Sequence, residues 1–152
     1  MTPNSHFKEL LSVLTRCGAK YLVVGGYAVM LYTEPRYTKD LDIWVEASPE
    51  NALRVFKALA EFGAPLKGIR AEDFAAPDLI YQLGVAPSRI DLLTSISGVS
   101  FEDAWTRRKE ADFGDVRVLF ISLEDLLNNR RTTGRRVDLT DCERLEEAKD
   151  LL

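Results

Sequence analysis

Two segments of this 152-residue chain set its architecture and its chemistry: Val23-Val24-Gly25-Gly26-Tyr27-Ala28, and Arg36-Tyr37-Thr38-Lys39-Asp40-Leu41-Asp42-Ile43-Trp44-Val45. Tyr21 to Val24 is a short, wholly apolar run ended by two glycines, the pattern of a buried strand. Tyr27 to Tyr32 then reads as a short buried helix, broken at Glu34-Pro35. Two glycines between a strand and a helix permit a sharp turn and let the backbone approach a ligand with no Cβ in the way. The free N–H groups and dipole of the following helix favour a phosphate there. A tight turn without a ligand uses the same residues. The third glycine of a dinucleotide fingerprint is missing and no Gly-Lys-Ser/Thr follows, which excludes that motif and a Walker loop.

Leu41 to Val45 reads as a second strand. Asp40, Asp42 and Trp44 alternate along it with apolar Leu41, Ile43 and Val45. Residues two apart in a strand share a face, with Cα atoms roughly 6.6 Å apart. Two carboxylates so placed repel unless a cation lies between them, and their oxygens suit Mg²⁺. A solvent-facing edge strand with two surface acids is the alternative. The apolar flanks argue that the opposite face is buried. A later segment, Arg89-Ile90-Asp91-Leu92-Leu93, adds a third acid among apolar neighbours, where a lone charge is costly.

The remaining pattern extends this core. Phe7, Leu10, Leu11 and Leu14 fall at helical spacing, with Asn4 or Ser5 to cap the helix and Gly18 to end it. Ser48-Pro49-Glu50 opens a helix whose expected buried stripe is Leu53, Phe56, Leu59 and Ala60. Residues 63–77 read mostly as loop, with a turn at 71–74. Leu79 to Val85 and Arg89 to Leu93 form an expected antiparallel hairpin through Ala86-Pro87-Ser88. A short helix over 100–108 and an edge hairpin around Gly114-Asp115 follow. Ser122-Leu123-Glu124-Asp125 opens a helix that Gly134 ends, and Asp138 is expected to cap a last helix with Leu139, Cys142 and Leu145 on one face. The order implies an α+β or α/β fold: a mixed sheet with helices packed on it, closed by a short C-terminal helical pair. No linker divides the chain, so residues 1–152 read as one domain, with a core at 1–120 and a helical extension at 121–152.

Composition narrows the function classes. Twenty Lys and Arg against twenty-four Asp and Glu give a formal net charge of −4, so any nucleic-acid contact is local. No apolar run approaches the roughly 20 residues of a membrane span, and the N-terminus lacks a signal-peptide pattern, so a cytoplasmic setting is expected. Cys17 and Cys142 lie far apart without metal-knuckle spacing, and His6 is the single histidine. Multi-histidine metal sites are excluded, and a histidine triad could be built only on His6, near the start of the chain.

Taken together, Val24-Gly25-Gly26, a spacer of thirteen residues, Asp40-Leu41-Asp42 and the later Asp91 resemble the nucleotidyltransferase superfamily of the polymerase-beta type. Arg36-x-Thr38-x-Asp40-x-Asp42 and the segment Arg130-Arg131-Thr132-Thr133-Gly134-Arg135-Arg136-Val137-Asp138-Leu139-x-Asp141 are similar to small bacterial members related to abortive-infection toxins of toxin–antitoxin pairs. Those relatives often carry Lys at the places of Arg130 and Val137. The resemblance, over roughly residues 20–145, implies a nucleotidyltransferase fold and transfer of a nucleoside monophosphate from an NTP to an acceptor hydroxyl of RNA, protein or a small molecule. It implies that Asp40, Asp42 and Asp91 are catalytic and hold Mg²⁺ or Mn²⁺, as a two-metal site requires. Gly25 and Gly26 would bind the triphosphate, and Arg36 and Thr38 would join the site just ahead of Asp40. Arg130 and Arg131 would meet the β- and γ-phosphates. Alternatively these arginines offset a helix dipole. An antitoxin-like protein partner follows from the same resemblance. A non-catalytic nucleotide-binding or toxin–antitoxin interaction module with the same fold is the other expectation.

Overall fold

The computed structural model describes residues 4–35, 38 and 40–151. Among them are six strands and six helices. Strands β1 (Tyr21–Val24), β2 (Leu41–Val45), β3 (Ile80–Leu83), β4 (Ile90–Leu93), β5 (Lys109–Phe113) and β6 (Val116–Phe120) form one mixed sheet, ordered β3-β4-β2-β1-β6-β5. β2 runs antiparallel to β1 and parallel to β4, whereas β1 is parallel to β6. The two hairpins, β3–β4 and β5–β6, flank this centre. Only β5 of the second hairpin is an edge strand; β6 lies inside, beside β1.

The central position of β1 explains its composition, since all four residues are buried. Helices α1 (Ser5–Arg16) and α3 (Pro49–Phe62) pack together, and α2 (Gly25–Tyr32) lies on β1 and β2. Asn4 caps α1 by accepting from the His6 and Phe7 amides, and Ser48 caps α3 by accepting from the Asn51 amide. The turn at residues 71–75 is a 3-10 helix. After α4 (Phe101–Thr106), helices α5 (Leu123–Thr133) and α6 (Arg136–Asp150) form the C-terminal pair.

Several expectations from the sequence need correction, among them the place of Leu139, which is 52% exposed on α6. The glycines do not precede α2 but form its first turn. The buried stripe of α3 is Asn51, Ala52, Val55, Ala58 and Leu59; Leu53 is 63% exposed. Asn51 takes a core position because its amide bridges the chain at Lys20 and Glu46, accepting from Lys20 N at 2.7 Å. Trp44 is buried rather than on a polar face, because Phe101 of α4 packs edge-on against it at 4.9 Å. Asp138 lies one turn inside α6 and accepts from the Arg135 amide, instead of standing at the cap itself.

Candidate active site

The site begins as one row across four strands. Val24 pairs with Asp42, Asp42 with Asp91, and Asp91 with Gln82. Directly paired residues point to the same face of a sheet, so parallel pairing of β2 and β4 alone brings Asp42 and Asp91 side by side. Asp40 stands immediately before β2 on the same face as Asp42. The chain there is held by the Leu41 amide, which donates to the Arg89 carbonyl at 3.1 Å.

Gly25 closes the row from above. Its φ of +69° is left-handed, and a Cβ added there would lie 2.2 Å from Asp42 Oδ2. Glycine is required twice over, for conformation and for space. Gly26 is buried in the first turn of α2. A cleft of about 390 Å³ opens beside these residues, with Gly25 and Asp42 on one wall and Asn129, Arg130, Thr133 and Arg135 of the C-terminal pair on the other. Ser95, Ile96 and Ser97 of the β4–α4 loop complete it. That loop is fixed to α5: Asn129 Nδ2 donates to Ser97 O at 3.0 Å, and a Cβ at Gly98 (φ +83°) would meet Thr132 Oγ1 at 2.4 Å.

The electrostatics are lopsided. Burial, then the neighbouring charges of Asp91 and Asp40, push the Asp42 carboxyl up to about 7, against the opposing pull of Arg130 and Arg89. Arg89 bridges the other two acids, with Nε 3.2 Å from Asp91 Oδ1 and 3.8 Å from Asp40 Oδ2. Its guanidinium pKa is raised by the hydrogen bond to Asp91 first, and also by the charges of all three carboxylates.

Across the cleft, Arg130 is buried and donates to Asp138 Oδ1 at 2.8 Å, with Nε 3.6 Å from Asp141 Oδ2. Arg135 donates to the same Asp138 at 2.7 Å. Burial pushes Asp138 up, but hydrogen bonds from Arg135 and Thr133 and the charges of Arg130 and Arg135 outweigh it and hold the carboxyl at about 2.

The expected residues therefore separate. Gly25, Asp42 and Arg130 share the cleft, with Asp91 and Asp40 beside them. Arg131 is turned away and pairs with Glu146 of α6. Thr38 lies two residues ahead of Asp40, and Arg36 lies outside the described residues. Arg89, Asn129, Thr133 and Arg135 join the site although the sequence assigns them no role. Thr133 and Arg135 lie in the C-terminal segment 130–141 and Arg89 stands two residues before Asp91, but only the fold places them, with Asn129, around the acids and Gly25.

Whether the acids suit a divalent ion is answered by their chemistry. Among the described residues, no three Asp, Glu, His or Cys side chains form a closed ligand set. Mg²⁺ needs no such set, since it takes one or two carboxylates and completes its octahedron with water and substrate phosphates. Asp42 and Asp91, in register with phosphate-sized space beside them, fit that requirement.

A six-stranded mixed sheet with helices, bearing an acidic row at the end of a glycine turn, is the fold of nucleotidyltransferases. The lincosamide antibiotic adenylyltransferase LnuA, crystallised with lincomycin, matches with a TM-score of 0.61 and 16% identity over 97% of this chain and 98% of its own. A protein from Thermotoga maritima described as a nucleotidyltransferase (TM1012) gives a TM-score of 0.56 and 15% identity, covering 99% of this chain and 94% of that one. An antigenic nucleotidyltransferase-like protein from Paracoccidioides brasiliensis gives 0.51 and 17%, over 99% and 79%. Residues 5–149 match the family described as nucleotidyltransferase of unknown function (DUF6036), and the chain belongs to that family. No curated protein matches it in sequence. Among the described residues, no helix is long and apolar enough to cross a membrane.

Proposed function

We propose that the protein transfers a nucleoside monophosphate from an NTP to an acceptor hydroxyl, in a reaction dependent on Mg²⁺ or Mn²⁺. The observation that carries this reading is Asp42, packed under the Gly25 backbone and lining the cleft with Arg130 and Arg135, with Asp91 in register beside it. In the reaction the acceptor oxygen bonds to the α-phosphorus, the bond to pyrophosphate breaks, and the hydroxyl proton is lost. A divalent ion held there supplies charge neutralisation at the reacting phosphate and acidifies the acceptor hydroxyl. Asp40 and Asp42 would hold it with the triphosphate, and Asp91 would complete its coordination on the acceptor side. Gly25 and Gly26 present the α2 N-terminus to the triphosphate. Arg135 and Arg130 face the same space, so they, rather than Arg131, are the candidate partners of the β- and γ-phosphates.

LnuA, crystallised with lincomycin, supports a small molecule as one acceptor class for this fold. RNA and protein hydroxyls remain in the proposal. A toxin role or an antitoxin-type partner rests on the sequence resemblance alone. The test is incubation with each α-labelled NTP, Mg²⁺, and cellular RNA, protein or small-molecule extract, with Asp42→Asn as control. Transfer of label by the wild type and not by the variant is expected. Saturable MgNTP binding without transfer to any of the three fractions would instead identify a nucleotide-binding module.

A further inference from the structure

One cation stands inside the acidic group itself. Arg89 reaches both Asp91 and Asp40 through Nε, at 3.2 and 3.8 Å. Its backbone is held in the β2–β4 ladder, but its side chain is 38% exposed. It lines a second cleft of about 370 Å³, which also contains Asp40, Gln82 and Val85. The guanidinium thus has open space to turn into, unlike Arg130, which is buried and bonded to Asp138.

We propose that Arg89 is a positioning residue: the resident counter-cation of Asp40 and Asp91, which it holds in the resting protein and yields to a divalent ion. The inference rests on the reading of Asp40, Asp42 and Asp91 as the ion-holding acids. Three neighbouring carboxylates repel one another, and one guanidinium offsets part of that repulsion. The same oxygens serve a divalent ion, and a guanidinium bonded to them opposes it by occupying Asp91 and by its own positive charge. Arg89 therefore raises the concentration of free ion that the site needs. An ion delivered with the phosphates of an NTP is opposed less, because their negative charge offsets the guanidinium. Arg89 so favours the ion–nucleotide complex over the bare ion.

The experiment is a Mn²⁺ titration by electron paramagnetic resonance, without nucleotide and at low salt, on the wild type, Arg89→Gln, Arg89→Lys and Asp42→Asn. Melting curves in chelator and in Mn²⁺ accompany it. Arg89→Gln is expected to bind Mn²⁺ about 3- to 10-fold tighter than the wild type, the scale of one weakly screened charge a few ångströms away. It should also melt lower in chelator and gain more from Mn²⁺. Arg89→Lys keeps the charge and should restore wild-type affinity to within about 2-fold. If folded Arg89→Gln binds no tighter, or Arg89→Lys binds as tightly as Arg89→Gln, the counter-cation role is overturned while the metal site stands. If the wild type shows no Mn²⁺ binding that Asp42→Asn removes, the metal reading falls and this inference falls with it.

Discussion

Two groups of charges meet at the cleft, and they are assembled differently. On the α5–α6 side, Arg130 and Arg135 converge on Asp138, with Asp141 beside Arg130. On the sheet side, Asp40, Asp42 and Asp91 have, among the described residues, Arg89 as their ion-pair partner. The first group is matched in charge among the described residues, buried except for Arg135, and tied to the capping of α6. The second carries more carboxylates than cations, at the end of a rigid parallel ladder. The first is a built-in fastening that lends part of one arginine to the cleft, and the second is a site whose charge calls for a cation from outside. Their opposite pKa shifts express the same contrast.

The largest effect on stability is expected where the matched group is broken. Arg130→Gln takes one of two arginines from the buried Asp138 and removes the cation beside Asp141; full loss of a buried pair's partner costs about 3–5 kcal/mol, the upper limit here because Arg135 still bonds Asp138. Chemical denaturation should show this loss, and the protein that stays folded should also bind NTP more weakly, because Arg130 faces the cleft. A drop in NTP affinity with unchanged stability would dissolve the distinction between the two groups.

The pH dependence of metal-free protein should run in opposite directions for the two acids. Asp42 is raised in the folded state from 3.8 to about 7, so folding favours its protonated form. Its contribution is most favourable below about pH 4 and is lost as pH rises toward 7. Asp138 is lowered from 3.8 to about 2, so its contribution is present above about pH 4 and is lost as pH falls toward 2. In chelator, Asp42→Asn should therefore flatten the upper limb of a stability–pH curve and raise the melting temperature near neutrality. An unchanged upper limb would mean that Asp42 is not held among like charges.

Next in size is the glycine that closes the acidic row. Gly25→Ala places a Cβ against Asp42 and keeps a left-handed φ, which alone costs roughly 1–2 kcal/mol. MgNTP affinity, followed by calorimetry, should fall further than stability does, because the same Cβ shifts the Asp42 carboxylate. The smallest effect separates adjacent arginines. Arg131→Gln removes an exposed pair with Glu146, worth about 0–1 kcal/mol, and should leave nucleotide binding unchanged. Arg135→Gln should weaken NTP about 10-fold while leaving NMP nearly unaffected, the scale of a hydrogen bond to a charged group. Equal loss for NTP and NMP would remove Arg135 from the triphosphate.

What was legible in the sequence follows from which forces are local. The apolar run Tyr21–Val24, its glycines and the alternation around Asp40-Leu41-Asp42 announce strand, turn and acid row, because strand faces are written with a period of two. Asp91 was legible for the same reason, although that it stands beside Asp42 is a matter of strand order. Burial decided by distant partners was not legible. Leu53 lost its core position to Asn51, which bridges Lys20 and Glu46. Leu139 is exposed while Asp138 and Asp141 are buried, since an arginine from another helix makes the acids the inward face of α6. The same limit hid the difference between Arg130 and Arg131, adjacent in the chain but about 100° apart around the helix.

The most direct test of the account is a paired measurement on Asp91→Asn. Asp91 is the one acid supplied by a neighbouring parallel strand, and its removal leaves Asp40 and Asp42 to hold one ion with the triphosphate. MgNTP binding should stay within a few-fold of wild type. Pyrophosphate release with the acceptor found in the labelling screen should fall at least ~100-fold, the effect of losing a positioned catalytic group. Wild-type turnover in correctly folded Asp91→Asn would contradict the claim that the in-register carboxylate pair is the centre of the reaction.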